Sequence, residues 1–520
     1  MKKLLSLILC LVMALAMFSF ANADGIYPID TDETLTIWVG GHPTSVTATI
    51  AEHAWYQGFA EKTGINLEWI EPTAGASHEQ AFNLMIADKT LPDIIIYAEP
   101  VKNAAAYIAD GIIIPLNDYI EEYAPNLNAY FTANPTLANT YKTDDGQIFC
   151  FPQFGEGMSN TGLVIDSAKL EECNLEVPTT IDELSDVLAA FKETYGITPF
   201  TMLTQTMDIE CMGSYGVMNT IYDAYGIPNR YCFFRDKDQV VHFSVLEEGY
   251  RQALSQLAEW YAAGYIDPDY ASVSYRDVSA KAAAGEVGVM VADFEVWARI
   301  NAITGTEENS WIAVPDPVLN EGDELWGFNS ASSTMANGAV ITTACDNVEL
   351  AMQLLDYAYS PEGIVYFNYG IEGESFTYDE NGEAHYTDLY RNGPLGMDEY
   401  ANIYTPAVCG HVTFGYNSYD AAFERNSEIM REAESIWNEG LTRDFFWQMP
   451  MLGPTAEETE RFADLNTTIQ TYCGEMHHKF LTGALSIEED WDDFMNTLEE
   501  MGVNELISIK QAQLDRFNAR

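Results

Sequence analysis

Basic residues are scarce in this chain. Its 520 residues include 24 Lys and Arg against 80 Asp and Glu, and the formal net charge is −56 at pH 7. A nucleic-acid partner requires a basic face that neutralises its phosphates, so this composition argues against nucleic-acid binding. The field of such a chain also opposes anionic ligands, and a neutral or cationic ligand fits it better. Solubility alone is an equally good explanation of the charge.

Cysteine pairs and catalytic motifs are missing from the sequence. Of the 8 Cys, Cys10 lies in the amino-terminal apolar run, and the others are scattered without a Cys-x-x-Cys pair. This pattern indicates neither a disulfide framework nor a zinc site. The motifs of serine hydrolases, P-loop enzymes and zinc proteases do not occur either. We therefore predict no catalytic residue, no metal and no cofactor.

The amino terminus predicts export. Two lysines at the start precede an apolar run over residues 4–20, and Ala21-Asn22-Ala23 places small residues where a signal peptidase cleaves. We predict a signal peptide over residues 1–23. A retained membrane anchor is the alternative, but an apolar run of about 17 residues is at the lower limit for spanning a bilayer. No second long apolar run follows. An extracellular or envelope-associated protein is expected.

The first part of the mature chain alternates strand and helix patterns. Strands are predicted over Thr34–Val39, Ile65–Ile70 and Leu91–Tyr97, with helices over 44–63, 77–88 and 102–110. The Ile-Ile-Ile core of the third strand indicates burial on both faces. This alternation is typical of a parallel α/β sheet.

A second α/β unit is predicted further along. Strands are expected over 162–165 and 288–291, and helices over 180–195 and 247–264, where Thr180 and Glu183 have capping-box spacing. In the second helix, Leu254, Leu257, Ala258 and Tyr261 are expected to form the buried face. Further along, we predict a strand over 338–342 and a helix over 348–360. The last stretch, residues 486–520, is predicted to be helical with a break at Gly502.

Several short segments, taken in their order and spacing along the chain, match the pattern of a known protein family. They are Leu91–Tyr97, Asp110–Tyr119, Asp145–Pro152, Tyr261–Pro268, Ala283–Gly288, Leu354–Gly363, Tyr369–Glu374, Phe480–Gly483, Asp490–Asp492 and Ile509–Gln511. Together they resemble the family 1 extracellular solute-binding proteins of ABC importers, particularly the long Gram-positive type. The signal segment departs from that type because it lacks a lipoprotein cysteine, which leaves the mode of anchoring open.

The resemblance implies an α/β fold of the two-lobed, periplasmic-binding-protein-like type II, with the ligand in a cleft between lobes that close by a hinge motion. We place the first lobe at 24–150 and the second at 151–320. The chain is expected to return to the first lobe over 321–400. A helical part over 401–520 is expected to belong mainly to the second lobe.

Candidate ligand residues follow the predicted strands and crossings, because open α/β sheets bind ligands beyond the carboxyl ends of their strands. Aromatic rings can cover a sugar face, while carboxylates and amides bond its hydroxyl rim. The candidates are Trp38, His42, Tyr97, Glu99, Gln153, Glu156, Asp293, Trp297, Trp326, Asn329 and Glu372. The resemblance implies sugar contact for Glu156 and ring stacking for Trp297. A core role for Trp38, a solvated role for Glu156 and a turn role for Glu372 are alternatives.

These observations favour a transport receptor without chemistry of its own. It would capture a sugar or oligosaccharide as a monomer and deliver it to the transmembrane subunits of an ABC permease. The alternatives are a secreted polysaccharide hydrolase or lyase, a surface adhesion or scaffold protein, and a receptor for another solute such as a peptide.

Overall fold

A computed structural model describes residues 26–39, 49–72, 77–155, 161–202, 219–227, 232–305, 310–323, 334–408, 410–438, 449–450, 452–453 and 455–520. The predicted signal peptide lies outside these ranges. Within them, no helix combines the length and the apolar character that a membrane crossing needs.

The strands of the described ranges are short, and most have buried residues. They are β1 Thr34–Val39, β2 Asn66–Ile70, β3 Ile94–Ile96, β4 Phe151–Gly155, β5 Thr161–Asp166, β6 Phe200–Met202, β7 Phe233–Arg235, β8 Val241–Phe243, β9 Val289–Asp293, β10 Trp311–Ala313, β11 Thr334–Ile341, β12 Phe376–Tyr378, β13 Ala384–Tyr386 and β14 Gly415–Asn417.

The helices of the same ranges run from one turn to seven turns. They are α1 Ala54–Thr63, α2 His78–Asp88, α3 Ala98–Lys102, α4 Ala104–Ala109, α5 Ile120–Tyr123, α6 Pro125–Ala133, α7 Pro135–Thr140, α8 Ser167–Cys173, α9 Ile181–Tyr195, α10 Asn219–Asp223, α11 Glu248–Ala262, α12 Tyr275–Ala283, α13 Phe294–Thr304, α14 Val348–Asp356, α15 Pro361–Tyr369, α16 Asp388–Asn392, α17 Met397–Tyr404, α18 Tyr419–Arg425, α19 Glu428–Asn438, α20 Ala456–Leu481, α21 Trp491–Met501 and α22 Val503–Ala519. Short 3₁₀ turns lie at Ile50–Glu52, Ser244–Leu246 and Tyr357–Tyr359.

The chain divides into two compact units, each assembled from separate stretches of sequence. Unit 1 contains residues 1–156, 333–425 and 517–520, and unit 2 contains residues 157–332 and 426–516. The sequence predicts changes of lobe after residues 150, 320 and 400. In the structure the grouping changes after residues 156, 332 and 425, so residues 401–425 belong to unit 1.

Unit 1 is built on a six-stranded sheet with the order β14-β4-β11-β3-β1-β2. Strand β1 is parallel to β2 and β3, and β14 is parallel to β4. Strand β11 is antiparallel to both of its neighbours, β3 and β4. The carboxyl ends of the other five strands therefore lie at one edge of the sheet, together with the amino-terminal end of β11. We call this the carboxyl edge of unit 1.

Unit 2 is built on a four-stranded sheet with the order β10-β5-β9-β6. Strand β5 is antiparallel to β10 and β9, while β6 is parallel to β9. Strands β9 and β6 are completely buried, with the pattern expected of strands that are covered on both faces. Helices α9, α11, α13 and α20 to α22 contribute apolar residues to the same core.

Local signals set several helix ends. Thr180 accepts a hydrogen bond from the Glu183 N–H, and the Glu183 side chain bonds back to Thr180, so the predicted capping box forms at the start of α9. Gly502, with φ of 94°, ends α21 in the left-handed conformation that glycine adopts without strain. The predicted break in the carboxyl-terminal helix is therefore confirmed.

Three helix predictions were wrong in detail. The helix predicted over 44–63 is described only from Ala54, because His53 is extended; residues 40–48 lie outside the described ranges. The single helix predicted over 102–110 is interrupted at Asn103, which has φ of −118° and ψ of 30°. In α11 the buried stripe includes Trp260 in place of Ala258 and Tyr261, because the large indole fills the core.

Candidate ligand-binding site

The carboxyl edge of unit 1 carries several of the predicted site residues. Val39, at the end of β1, pairs with Ile96 at the end of β3, and Gly155, at the end of β4, pairs with Asn417 at the end of β14. Tyr97 follows β3 directly, and its N–H donates to the Gly338 carbonyl at 3.3 Å. This is the edge at which open α/β sheets bind ligands.

Three amide side chains form a hydrogen-bonded row on adjacent strands of this sheet. Asn337 on β11 donates from Nδ2 to Gln153 Oε1 at 3.3 Å, and Gln153 on β4 donates from Nε2 to Asn417 Oδ1 at 3.4 Å. Gln153 is buried, whereas Asn337 and Asn417 are half-buried. We call Asn337, Gln153 and Asn417 the amide row. It places paired donors and acceptors close to the carboxyl edge.

An aromatic group lies at the same edge. The Tyr97 ring is half-buried, and its centroid lies 5.4 Å from that of Trp38 and 5.1 Å from that of Phe82. Trp38 is buried with 3% exposure, which matches the core alternative raised for it from sequence. Burial, followed by the charges of Glu79 and Glu99, raises the pKa of Tyr97, so its hydroxyl stays protonated at neutral pH. Tyr97 is thus a neutral ring with one hydroxyl.

The two acidic candidates of unit 1 lie in local structures. Glu99 is in the first turn of α3, and its Oε1 accepts a hydrogen bond from Asn103 Nδ2 at 2.8 Å. Glu372 is exposed and forms an isolated bridge with Phe376, the first residue of β12. That position fits the turn alternative for Glu372. Neither placement tests a ligand contact, and both roles stay predictions.

The two described candidates of unit 2 lie at the start of α13. Asp293 ends β9 and caps the helix, because its Oδ1 accepts the Val296 N–H at 3.0 Å. Trp297 has 0% exposure and packs beside Trp437, with a centroid distance of 6.4 Å. These contacts give Asp293 a capping role and Trp297 a core role in unit 2. A stacking role for Trp297 remains a prediction that its variants can decide.

Four candidates lie outside the described residues: His42, Glu156, Trp326 and Asn329. Their expected ligand contacts stay predictions.

Sequence reasoning missed Asn337 and Asn417. Asn337 precedes the predicted strand over 338–342 by one residue, and Asn417 ends a strand of only three residues. Strand β14 reaches β4 from 264 residues away in the chain, and no local pattern carries such a pairing. The Gly338-Ala-Val-Ile pattern could have indicated Asn337 had the strand been extended towards its amino end.

One group in the described part of the chain has the donor atoms for a metal ion. Donor atoms of Asp379, Glu383 and His385 lie within 4.8 Å of one another. Asp379 Oδ1, however, accepts the N–H groups of Asn381 and Glu383, which closes the β12–β13 hairpin. These bonds hold the pKa of Asp379 below its usual value. The arrangement is explained by the turn.

The sequence can be assigned to a protein family. A family model described as "Bacterial extracellular solute-binding protein" matches residues 54–368, more than half of the chain. The chain belongs to this family of bacterial extracellular solute-binding proteins. The resemblance found from short segments is therefore confirmed. Members of this family are binding proteins.

Two curated relatives align with most of the chain. One is the fructooligosaccharide ABC transporter substrate-binding protein FusA of Streptococcus pneumoniae, 22% identical over 530 residues, with 95% of this chain and 92% of that protein covered. Another is lipoprotein LipO of Bacillus subtilis, 21% identical, with 85% and 84% covered.

Solved structures share the fold. A solute-binding protein from Bifidobacterium longum infantis, described as binding HMO, gives a TM-score of 0.74 at 19% identity, with 94% of this chain and 99% of that chain covered. The alginate-binding protein AlgQ2 gives a TM-score of 0.66 at 20% identity, with 93% and 99% covered. The predicted fold class, the two-lobed α/β type, is thereby confirmed.

Proposed function

We propose that this protein captures a neutral sugar or oligosaccharide outside the cell and delivers it to the transmembrane subunits of an ABC importer. Family membership supports the transport role. The names of FusA and of the Bifidobacterium protein support a saccharide ligand. The proposal includes export, a monomeric state and no catalytic step.

The arrangement at the carboxyl edge of unit 1 carries the proposal. A sugar presents an apolar ring face and a rim of hydroxyl groups, each of which donates and accepts hydrogen bonds. The amide row supplies uncharged donors and acceptors, and the half-buried Tyr97 supplies a ring. Ligand sites combine such aromatic surface with a few placed polar groups. A net charge of −56 disfavours an anionic ligand over a neutral one.

A thermal-shift screen tests this function. We expect a neutral oligosaccharide to raise the melting temperature of the mature protein, because a ligand that binds only the folded state stabilises it. At a concentration 100 times its Kd the gain is about 2.7 kcal/mol. The panel would contain glucose, galactose, fructose, maltose, maltotriose, cellotriose and 1-kestose, with calorimetry on each compound that gives a shift.

Amino acids, short peptides and galacturonic acid oligomers are the controls in that screen. Heat of binding with peptides alone would remove the saccharide assignment. Release of smaller sugars from an oligosaccharide by the pure protein would instead support the enzyme alternative.

A further inference from the structure

The two hydrogen bonds of the amide row run in the same direction. Gln153 is 3% exposed, and both polar atoms of its side chain are used within the row. Because Gln153 Oε1 must receive an N–H, Asn337 turns its Nδ2 towards Gln153 and leaves Oδ1 as a remaining acceptor. Because Gln153 Nε2 donates, Asn417 turns its Oδ1 inward and leaves the N–H groups of Nδ2 as remaining donors. One end of the row accepts and the other end donates.

The two ends of the row lie on opposite sides of β4. Asn337 and Asn417 are on β11 and β14, which flank β4. Both side chains are half-buried and bond to the buried Gln153 between them. One ligand at the carboxyl edge can therefore meet an acceptor at one end of the row and donors at the other.

We propose that the amide row selects the ligand by polarity, an inference that rests on the proposed saccharide function. Asn337 Oδ1 accepts a hydroxyl hydrogen from the saccharide, and Asn417 Nδ2 donates to another of its hydroxyl oxygens. Gln153 does not contact the ligand. It is a positioning residue that holds both asparagines in the orientations that these contacts require.

Calorimetry of single variants tests the contacts. The probe is the saccharide from the panel above that binds most tightly. N337A and N417A should each weaken oligosaccharide binding about tenfold. N417D keeps the inward acceptor but removes the outward donors, so it should weaken binding as much as N417A.

A double-mutant cycle tests the positioning role of Gln153. Q153L removes both hydrogen bonds of the row, and the two asparagines lose their fixed orientations. We therefore expect N417A to cost about tenfold in the native background and less than threefold in the Q153L background, since interacting residues are non-additive. A purely structural role for Gln153 would leave the cost of N417A unchanged. N392A removes an exposed amide of α16 whose Nδ2 donates to Asp388, and it should bind as the native protein does.

The outcomes separate the two proposals. If the native protein binds an oligosaccharide but N337A, N417A and N417D all bind it within twofold, the role of the amide row is overturned while the saccharide function stands. If the native protein binds no saccharide of the panel, the proposed function fails and the amide-row inference fails with it. Should N417A not fold, N417D replaces it both in the comparison with the native protein and in the cycle on Q153L.

Discussion

Replacement of Asp356 by alanine is expected to destabilise unit 1 by roughly 3 kcal/mol, because three buried N–H groups lose their acceptor. Asp356, with 0% exposure, receives the backbone N–H of Asn126 at 3.1 Å, its side-chain Nδ2 at 2.8 Å, and the Leu127 N–H at 2.8 Å. These N–H groups belong to the first turn of α6. Ala124, at the N-cap of that helix, has no side-chain acceptor. Asp356 therefore caps α6 from 230 residues away.

Differential scanning calorimetry of the D356A protein measures this loss in the transition that includes unit 1. The matched control is D346A, which removes an exposed carboxylate near the start of α14 and should change stability by less than about 0.5 kcal/mol. A D356A protein that melts with the native protein would show that α6 does not depend on this remote cap.

The pH dependence of the same site has a defined sign. Burial raises the pKa of Asp356 from 3.8 to about 6, although the N–H bonds from Leu127 and Asn126 oppose the shift. An acid with a raised pKa in the folded state binds its proton more tightly when folded. The stability of the native protein relative to D356N should therefore rise as pH falls from about 7 to 4. This additional stability of the native protein should be lost again as the pH rises through 6. A difference independent of pH would contradict the assignment.

Replacement of Trp297 by alanine is expected to cost about 3–5 kcal/mol in the stability of unit 2, the usual range for a buried tryptophan. The indole is 0% exposed and lies beside Trp437, which in turn stacks on Phe294 at 5.9 Å. Within the described residues, its Nε1 has no hydrogen-bond acceptor. W297F therefore loses volume but no described hydrogen bond and should remain folded.

Saccharide affinity of the W297F protein separates the two interpretations of this residue. If Trp297 is a core residue, W297F binds an oligosaccharide within twofold of the native protein. A tenfold loss of affinity with an unchanged melting temperature would favour ligand stacking. Ile303 lies on the same helix with 55% exposure, and I303A is the control for changes on α13 outside the core.

Local features of the fold could be read from the sequence, but its long-range pairings could not. The capping box at Thr180, the buried Ile94–Ile96 strand and the break at Gly502 depend on residues close in sequence, and each was predicted. The position of β11 between β3 and β4 was not. Parallel and antiparallel partners that are hundreds of residues apart leave no periodicity in either segment.

The candidate site shows the same division. A predicted strand end pointed to Tyr97, and the predicted crossing between lobes pointed to Gln153, because both features can be read from nearby residues. The bonds from Gln153 to Asn337 and Asn417 depend on which strands become neighbours. Burial was also beyond local reasoning, since the sequence around Trp297 fits a surface platform as well as a core position.

The wide sequence separation of neighbouring strands in unit 1 has a consequence for biosynthesis. Strand β4 lies between β11 and β14, whose residues follow it by at least 179 positions. Ribosomes extend chains at about 5–20 residues per second. The sheet therefore cannot be completed until many seconds after its first strands emerge. Until residues 415–417 are made, β4 lacks one of its two neighbours, so an incomplete chain cannot form the native sheet of unit 1.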